Sequence, residues 1–322
     1  MIGRSARNNY VKNMKKTNKQ IGSSETLRET TFNFEVLNNL HLSQHKKKIN
    51  QDFLEWFVGF SEGDGSFIIS KSKTGQERLF FVLVQNDVQA LHRLRTTLGF
   101  GRVGKHGRYF RYFVSKKTDI DKLMHLFNGN LVLSKTNARF IDWLECRNKL
   151  NSHVSEIKYK GRKEAFSFLG SAWLSGFIAA EGCFNITRIL DKRYKDGFRI
   201  CCRFILSQNS EAQLLNNIKA EIGSGSISPR SKGSLNFNYT ITDRFFIERV
   251  VQYLKCHPLR VTKNVSLRRM SKMLNYFKTK KEIPWEGKVK KRVLRLVANT
   301  LSNGREENIK VDDKVRRALK AA

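Results

Sequence analysis

The sequence predicts an α+β fold. Two tandem αββαββα units are related by a pseudo-twofold axis, each with a saddle-shaped antiparallel sheet, and they meet on a central two-helix interface. Three observations predict it. A short motif occurs twice, as Phe57-Val58-Gly59-Phe60-Ser61-Glu62-Gly63-Asp64-Gly65-Ser66-Phe67 and as Leu174-Ser175-Gly176-Phe177-Ile178-Ala179-Ala180-Glu181-Gly182-Cys183-Phe184. After each copy the apolar pattern changes from helical to alternating spacing. Downstream landmarks then recur in the same order with an offset that only grows: 117 from Asp64 to Glu181, 123 from Gln85 to Gln208, 124 from Gly99 to Gly223 and 128 from Lys135 to Lys263. Small loop insertions in a duplicated unit produce such a drift, and the period is far too long for a solenoid.

The elements follow in order. Residues 1–50 are rich in Lys, Asn, Ser and Thr and read as a flexible basic extension, with a short helix around 32–42. The first unit spans 51–150. Asp52 can cap a helix carrying Leu54, Trp56, Phe57 and Phe60. Residues 66–73 read as a strand, Thr74-Gly75 as a turn and 78–85 as the partner strand. Apolar residues at Val88, Leu91, Leu94 and Leu98 have helical spacing, and Gly99 closes that helix. A second hairpin over 101–105 and 109–115 and helices over 120–127 and 136–150 complete the unit. Residues 151–167 are polar and basic and form a linker. The series restarts over 168–278: a helix over 168–180 ending at Glu181, strands at 183–189 and 199–207 around a charged turn, a helix at 210–222 closed by Gly223, a hairpin at 225–242, and helices at 244–255 and 264–278. Residues 279–322 form a basic tail with a helix at 289–301.

Composition narrows the partner. Among 322 residues, 61 Lys and Arg face 28 Asp and Glu, a net charge of +33. Such an excess repels itself unless the natural partner is an anion, and nucleic acid is the first candidate. No apolar run is long enough to span a bilayer, and no basic amphipathic helix marks a membrane-surface element. The five cysteines form no CxxC pair, so a zinc ribbon or disulfide framework is not expected. There is no HExxH, no GxxxxGK[ST] loop, no GxGxxG after a strand and no EF-hand array.

The motif has a direct physical reading. Gly59 and Gly63 lie on one helix face, as do Gly176 and Ala180, so two helices can cross backbone to backbone. Trp56, Phe60, Trp173 and Phe177 are expected to point away from that seam and pack under the sheets. The helix ends then bring Asp64 and Glu181 together. Two neighbouring carboxylates repel unless a cation neutralises them, and hard oxygen ligands suit Mg²⁺ with substrate phosphate. A single copy would read as a turn with a helix-capping acid; two aligned copies in so basic a chain point to phosphodiester chemistry.

These residues resemble the signature of the LAGLIDADG homing endonucleases in their single-chain, two-motif form, over roughly 53–278. The resemblance implies a monomeric, metal-dependent endonuclease that cuts both strands of a long double-stranded DNA site across the minor groove and leaves short 3′ overhangs. It implies Mg²⁺, with Mn²⁺ as a substitute and Ca²⁺ binding without cleavage. Asp64 and Glu181 match the metal-binding acids, with the preceding Gly63 and Ala180 in the metal site. Gln85, Gln208, Lys135 and Lys263 match the polar residues around the catalytic centre. Ala179, where the first copy has Glu62, departs from the repeat without touching the later acid. Such genes usually lie in organellar introns, so mitochondrion is the first location and chloroplast the second.

Strand alternation supplies the base readers. With Phe67, Ile69, Phe184 and Ile186 inward, Ser66, Ile68, Ser70, Ser72, Cys183, Asn185, Thr187 and Ile189 face out, placed to read base edges in the major groove. Lys71, Lys73, Arg78, Lys192, Arg193, Lys195, Arg230 and Lys232 lie at or near the hairpin turns and suit phosphate contacts. Two rival functions share the scaffold. An intron RNA maturase would keep the basic surface but tolerate loss of an acid, and both acids are present. A non-catalytic DNA-binding regulator would usually add a helix-turn-helix, and none is seen.

Overall fold

A computed structural model describes residues 32–41, 48–194, 196–279 and 287–301. The remainder of the expected N-terminal extension and C-terminal tail, and Lys195 among the expected phosphate contacts, lie outside the described residues. Helix α1 (Glu35–His41) lies in the N-terminal extension, and the first unit comprises α2 (Gln51–Asp64), β1 (Gly65–Lys71), β2 (Glu77–Gln85), α3 (Val88–Leu98), β3 (Arg102–His106), β4 (Tyr109–Val114), α4 (Lys117–Phe127) and α5 (Ser134–Leu150). The second comprises α6 (Trp173–Glu181), β5 (Gly182–Leu190), β6 (Phe198–Asn209), α7 (Ala212–Ile222), β7 (Ser226–Pro229), β8 (Asn236–Ile241), α8 (Arg244–Cys256), α9 (Asn264–Thr279) and α10 (Gly287–Leu301). The two sheets have matching orders, β1-β2-β4-β3 and β5-β6-β8-β7, with all neighbours antiparallel.

The duplication extends to details of the turns. Gly99 and Gly223 close α3 and α7 in the left-handed region, at φ 76° and 96°. Two residues on, Gly101 and Gly225 also have positive φ, and a Cβ at either would lie 2.5 Å from a ring atom of Tyr112 or Tyr239. Those tyrosines are buried and donate to Phe100 O (3.1 Å) and Ser224 O (2.5 Å), so each glycine admits a ring that pins its own turn.

At the centre, α2 and α6 cross backbone to backbone at Gly59 and Gly176. A Cβ on Gly59 would lie 2.1 Å from Trp173 O, and one on Gly176 only 1.9 Å from Trp56 O. The aromatics depart from expectation. Phe57 packs beneath the first sheet with Phe81 and Phe127, but the tryptophans reach across the seam. Trp56 stacks on Phe60 and donates to Leu259 O in the second unit at 3.0 Å. Trp173 stacks on Phe177 and donates to Glu62 Oε2 in the first at 2.6 Å. The seam is so narrow that a large ring on its flank meets the opposite unit first.

Other boundaries shift for local reasons. Asn50, not Asp52, caps α2 by accepting from Phe53 N at 3.1 Å. The helix expected from 168 begins at Trp173, because the N–H groups of Phe168 and Leu169 bond to Glu221 instead of extending the helix. Ile69 shares the inward face of Phe67 yet is as exposed as Ile68, since β1 is an edge strand covered from one side only. Residues 32–41 pack on the first unit through buried Phe32, Phe34 and Leu37 and paired bonds between Asn33 and Asn130. Helix α10 packs against β5 and buries Val293 and Val297.

Candidate active site

Each acid is the last residue of a central helix, and the next residue opens a strand. Asp64 and Glu181 therefore meet where the two units join. A Cβ on Gly63 would overlap Ala180 Cβ at 2.3 Å and reach Glu181 Cγ at 3.2 Å, which shows how closely the helix ends approach. Asp64, Gln85, Ala180 and Lys263 line one cleft of about 300 Å³, together with Val84, Asn86, Tyr109, Ala179, Val261 and Thr262.

Burial raises the pKa of both carboxyls above the ordinary carboxylate range. Asp64 rises to about 6, chiefly from desolvation, against the pull of Lys263 and Gln85. Glu181 rises to about 7, from desolvation and then from repulsion by Asp64, with Lys263 opposing. The pair thus favours a cation over coexistence as two bare charges. Gln85 Nε2 donates to Asp64 Oδ2 at 2.5 Å. Lys263 Nζ donates to Ala180 O at 2.8 Å and Ile178 O at 3.2 Å, and burial lowers its pKa.

The repeat counterparts of Gln85 and Lys263 are not symmetric with them. Gln208 lies on β6, half-buried, and makes no bond to Glu181. Lys135 lies in the first turn of α5 with its side chain exposed, and its backbone N–H donates to Glu211 at 3.4 Å. The structure gathers Asp64, Glu181, Gln85 and Lys263, with Gly63 and Ala180 beside them, and leaves Gln208 and Lys135 outside that cluster.

The outward strand residues are disposed as alternation demands. Ser66, Ile68, Ser70 and Cys183 are exposed, and Asn185, Thr187 and Ile189 are partly so. Ser72 lies beyond β1, where its Oγ bonds to Thr74 Oγ1 and Gln76 N and closes the turn. Lys73, Arg78, Lys192, Arg230 and Lys232 are exposed. Lys71 pairs with Glu77 at 3.3 Å, and Arg193 pairs with Asp191 through two contacts of 2.9 Å, so these two cations are partly neutralised within the chain.

Three acids escaped the sequence reading. Glu62 is buried, accepts from Val132 N (2.8 Å), Leu133 N (2.7 Å) and Trp173 Nε1, and is pushed up to about 8 by desolvation while its three donors pull the other way. Asp87 caps α3 through Ala90 N and reaches Thr262 N, next to Lys263, at 2.7 Å. Glu211 accepts from Ser134 N at 2.7 Å, next to Lys135. Each unit thus holds the start of the lysine-bearing helix of the other. Asp87 and Glu211 stand 124 apart, the offset of Gly99 and Gly223, and that match was the available signal.

The donor set suits a hard divalent ion: two carboxylates of raised pKa and no sulfur or imidazole in the lining. Among the described residues no cluster of three or more His, Cys, Asp and Glu stands ready to enclose a metal alone. Such a pair leaves coordination for water and phosphate. No helix among the described residues is long and apolar enough to cross a membrane.

Comparison with known proteins places these features. The chain is 32% identical over 220 residues to a protein described as probable intron-encoded endonuclease 4 of Neurospora crassa, covering 66% of this chain and 38% of that protein. It is 30% identical over 221 residues to probable intron-encoded endonuclease Cox1-I1b of Schizosaccharomyces pombe, covering 59% and 55%. It is 28% identical over 183 residues to the intron-encoded RNA maturase bI4 of Saccharomyces cerevisiae, covering 53% and 27%. The chain spans about half the length or less of these relatives. The same fold occurs in I-LtrWI bound to target DNA, with a TM-score of 0.67, 18% identity and coverage of 81% and 100%. It occurs also in I-SmaMI bound to an uncleaved DNA target with calcium ions present, with a TM-score of 0.62, 19% identity and coverage of 76% and 98%. The sequence profile of the LAGLIDADG endonucleases matches residues 57–147 and again 174–274, more than half of the protein; the chain belongs to the LAGLIDADG endonuclease family, in its single-chain, two-motif form.

Proposed function

We propose that this protein is a monomeric, Mg²⁺-dependent, site-specific DNA endonuclease of mitochondrial intron origin, with chloroplast the second candidate. It cuts both strands of one long duplex site across the minor groove and leaves short 3′ overhangs. The observation that carries this reading is the pair Asp64 and Glu181, brought together at two helix ends beneath a cleft that also holds Gln85 and Lys263. A divalent ion held by Asp64 and Glu181 would supply an activated water and offset charge on the leaving oxygen, with Mn²⁺ an effective substitute and Ca²⁺ supporting binding alone. Gln85 orients the Asp64 carboxylate by its bond to Oδ2. Lys263, anchored on two backbone carbonyls of α6, keeps a positive charge beside both acids and beside the position of a scissile phosphate. Neither Gln208 nor Lys135 makes the same contact to Glu181.

The outward faces of the two sheets lie in successive stretches of the major groove, and the exposed cations Lys73, Arg78, Lys192, Arg230 and Lys232 contact phosphates. The maturase relative favours a second reading, binding of intron RNA by the same basic chain; the two intact acids favour cleavage. Selection of cleaved duplexes from a random DNA library, with Mg²⁺ and then with Ca²⁺, tests the proposal. A single long site cut only with Mg²⁺ is expected. Tight binding of RNA with no duplex cleaved under any divalent ion would overturn it.

A further inference from the structure

The two outward sheet faces differ in chemistry at equivalent positions. Strand register pairs Ile68 with Phe80, Ser66 with Val82, Val82 with Phe113 and Val84 with Arg111, so these side chains share the outward face of the first sheet. Phe80 and Phe113 stack there with ring centroids 5.2 Å apart. Ile68 and Val84 are each 37% exposed, large apolar side chains left open on a very basic protein. Ile68, Phe80, Val82, Val84 and Phe113 make one apolar strip that runs from the rim of the catalytic cleft outward.

Matching the registers of the second sheet places Asn185 at the position of Ile68, Arg203 at Phe80, Ile205 at Val82, Ser207 at Val84 and Thr240 at Phe113. Four of five apolar positions are thus hydrogen-bonding ones in the second unit. Among the described residues the buried atoms Asn185 Oδ1 and Thr187 Oγ1 have no hydrogen-bond partner. The first strip is not a seat for an ordinary apolar partner, because Arg78, Arg102 and Arg111 share its face. Its complement is a polyanion with apolar spots. In the major groove only one base feature is apolar, the C5-methyl of thymine.

Resting on the reading that both sheets face one duplex, we infer that the first unit recognises its half-site mainly by apolar contact with thymine methyl groups, whereas the second unit recognises its half-site by hydrogen bonds. Ile68, Phe80, Val84 and Phe113 are then specificity residues, and the preferred site carries thymines concentrated in the half read by β1, β2 and β4.

Deoxyuridine in place of single thymines tests this, since it removes the methyl and keeps the pairing. On the selected target, with Ca²⁺ and the full chain, each contacted thymine of the first half-site should lose about fourfold in affinity, the factor for one buried methyl-sized group. Thymines of the second half-site should lose little. Ile68→Asn should abolish the penalty at one position and keep it elsewhere. Equal penalties in both half-sites, or a full set of penalties retained by Ile68→Asn, would overturn the inference alone. Self-association relieved by Ile68→Asn with all penalties unchanged would assign the strip to protein contact and overturn it too. Recovery of no bound duplex at all would instead remove the functional reading beneath it.

Discussion

The first unit holds its acid more tightly than the second. Asp64 receives a hydrogen bond from Gln85 at the end of the neighbouring strand, whereas Lys263, from the second unit, pulls on both acids. Glu181, the same position in the repeat, has no bond from Gln208, and Lys135 is exposed with its backbone held by Glu211. One backbone plan therefore yields two unequal settings. The difference teaches that a duplicated chain is free to spend its polar groups on one side once both acids can share a centre. A homodimer could not do so, because any change would appear twice.

The sharpest way to break this comparison is to remove each acid's charge while keeping its shape. Asp64→Asn and Glu181→Gln should each reduce Mg²⁺-dependent cleavage on the order of a thousandfold, with site binding in Ca²⁺ retained. Nicked-circle assays then separate the strands: accumulation of different nicked strands in the two variants would show that each acid serves its own strand, and normal linearisation by either variant would remove it from the metal site.

The lysines come next. Lys263→Met should slow cleavage on the order of a hundredfold with little loss of affinity. Lys135→Met should cost less than about tenfold, mainly in affinity and with a smaller salt slope. Equal effects on rate would mean that Lys135 reaches the centre once DNA is bound.

The seam should show symmetry where the site does not. Gly59→Leu and Gly176→Leu each drive a side chain onto backbone of the opposite helix, and overpacking of this kind costs about 1–3 kcal/mol or more. Both variants should lower the melting temperature of the whole protein in one transition. Melting of one unit alone would show that the halves fold independently.

The last contrast is the pH dependence of stability without metal. Asp64 and Glu181 have folded pKa values raised to about 6 and 7, so the folded state binds protons more tightly than the unfolded. Their contribution is present below about pH 4 and is lost as pH rises to about 7. In chelator at pH 8, Glu181→Gln should therefore be more stable than the parent by about 2 kcal/mol after allowance for solvent screening, and nearly equal to it at pH 4. Mg²⁺ should reverse the order at pH 8. Denaturant titrations at the two pH values check the sign.

Much of the fold could be read from residues alone because the decisive signals are local. The switch of period after Asp64 and Glu181 and the glycines at 99 and 223 lie within a few turns of chain, and the growing offsets only compare such local signals between the two copies. The pairing of the acids was equally readable, since small residues on one helix face admit only a close crossing.

What the sequence by itself determined is the repeat, the seam and the two acids. Tertiary structure alone decided which polar residues join them. Trp173 on Glu62 and Thr262 on Asp87 bridge 111 and 175 positions, so no local pattern announces them. Tertiary structure likewise set Lys263 on the carbonyls of Ala180 and Ile178 and left Lys135 in solvent, although both occupy one place in the repeat. The reason is physical: spacing fixes where a side chain starts, but the neighbours brought to its tip from the other unit decide whether it is buried, and burial decides its charge and its use.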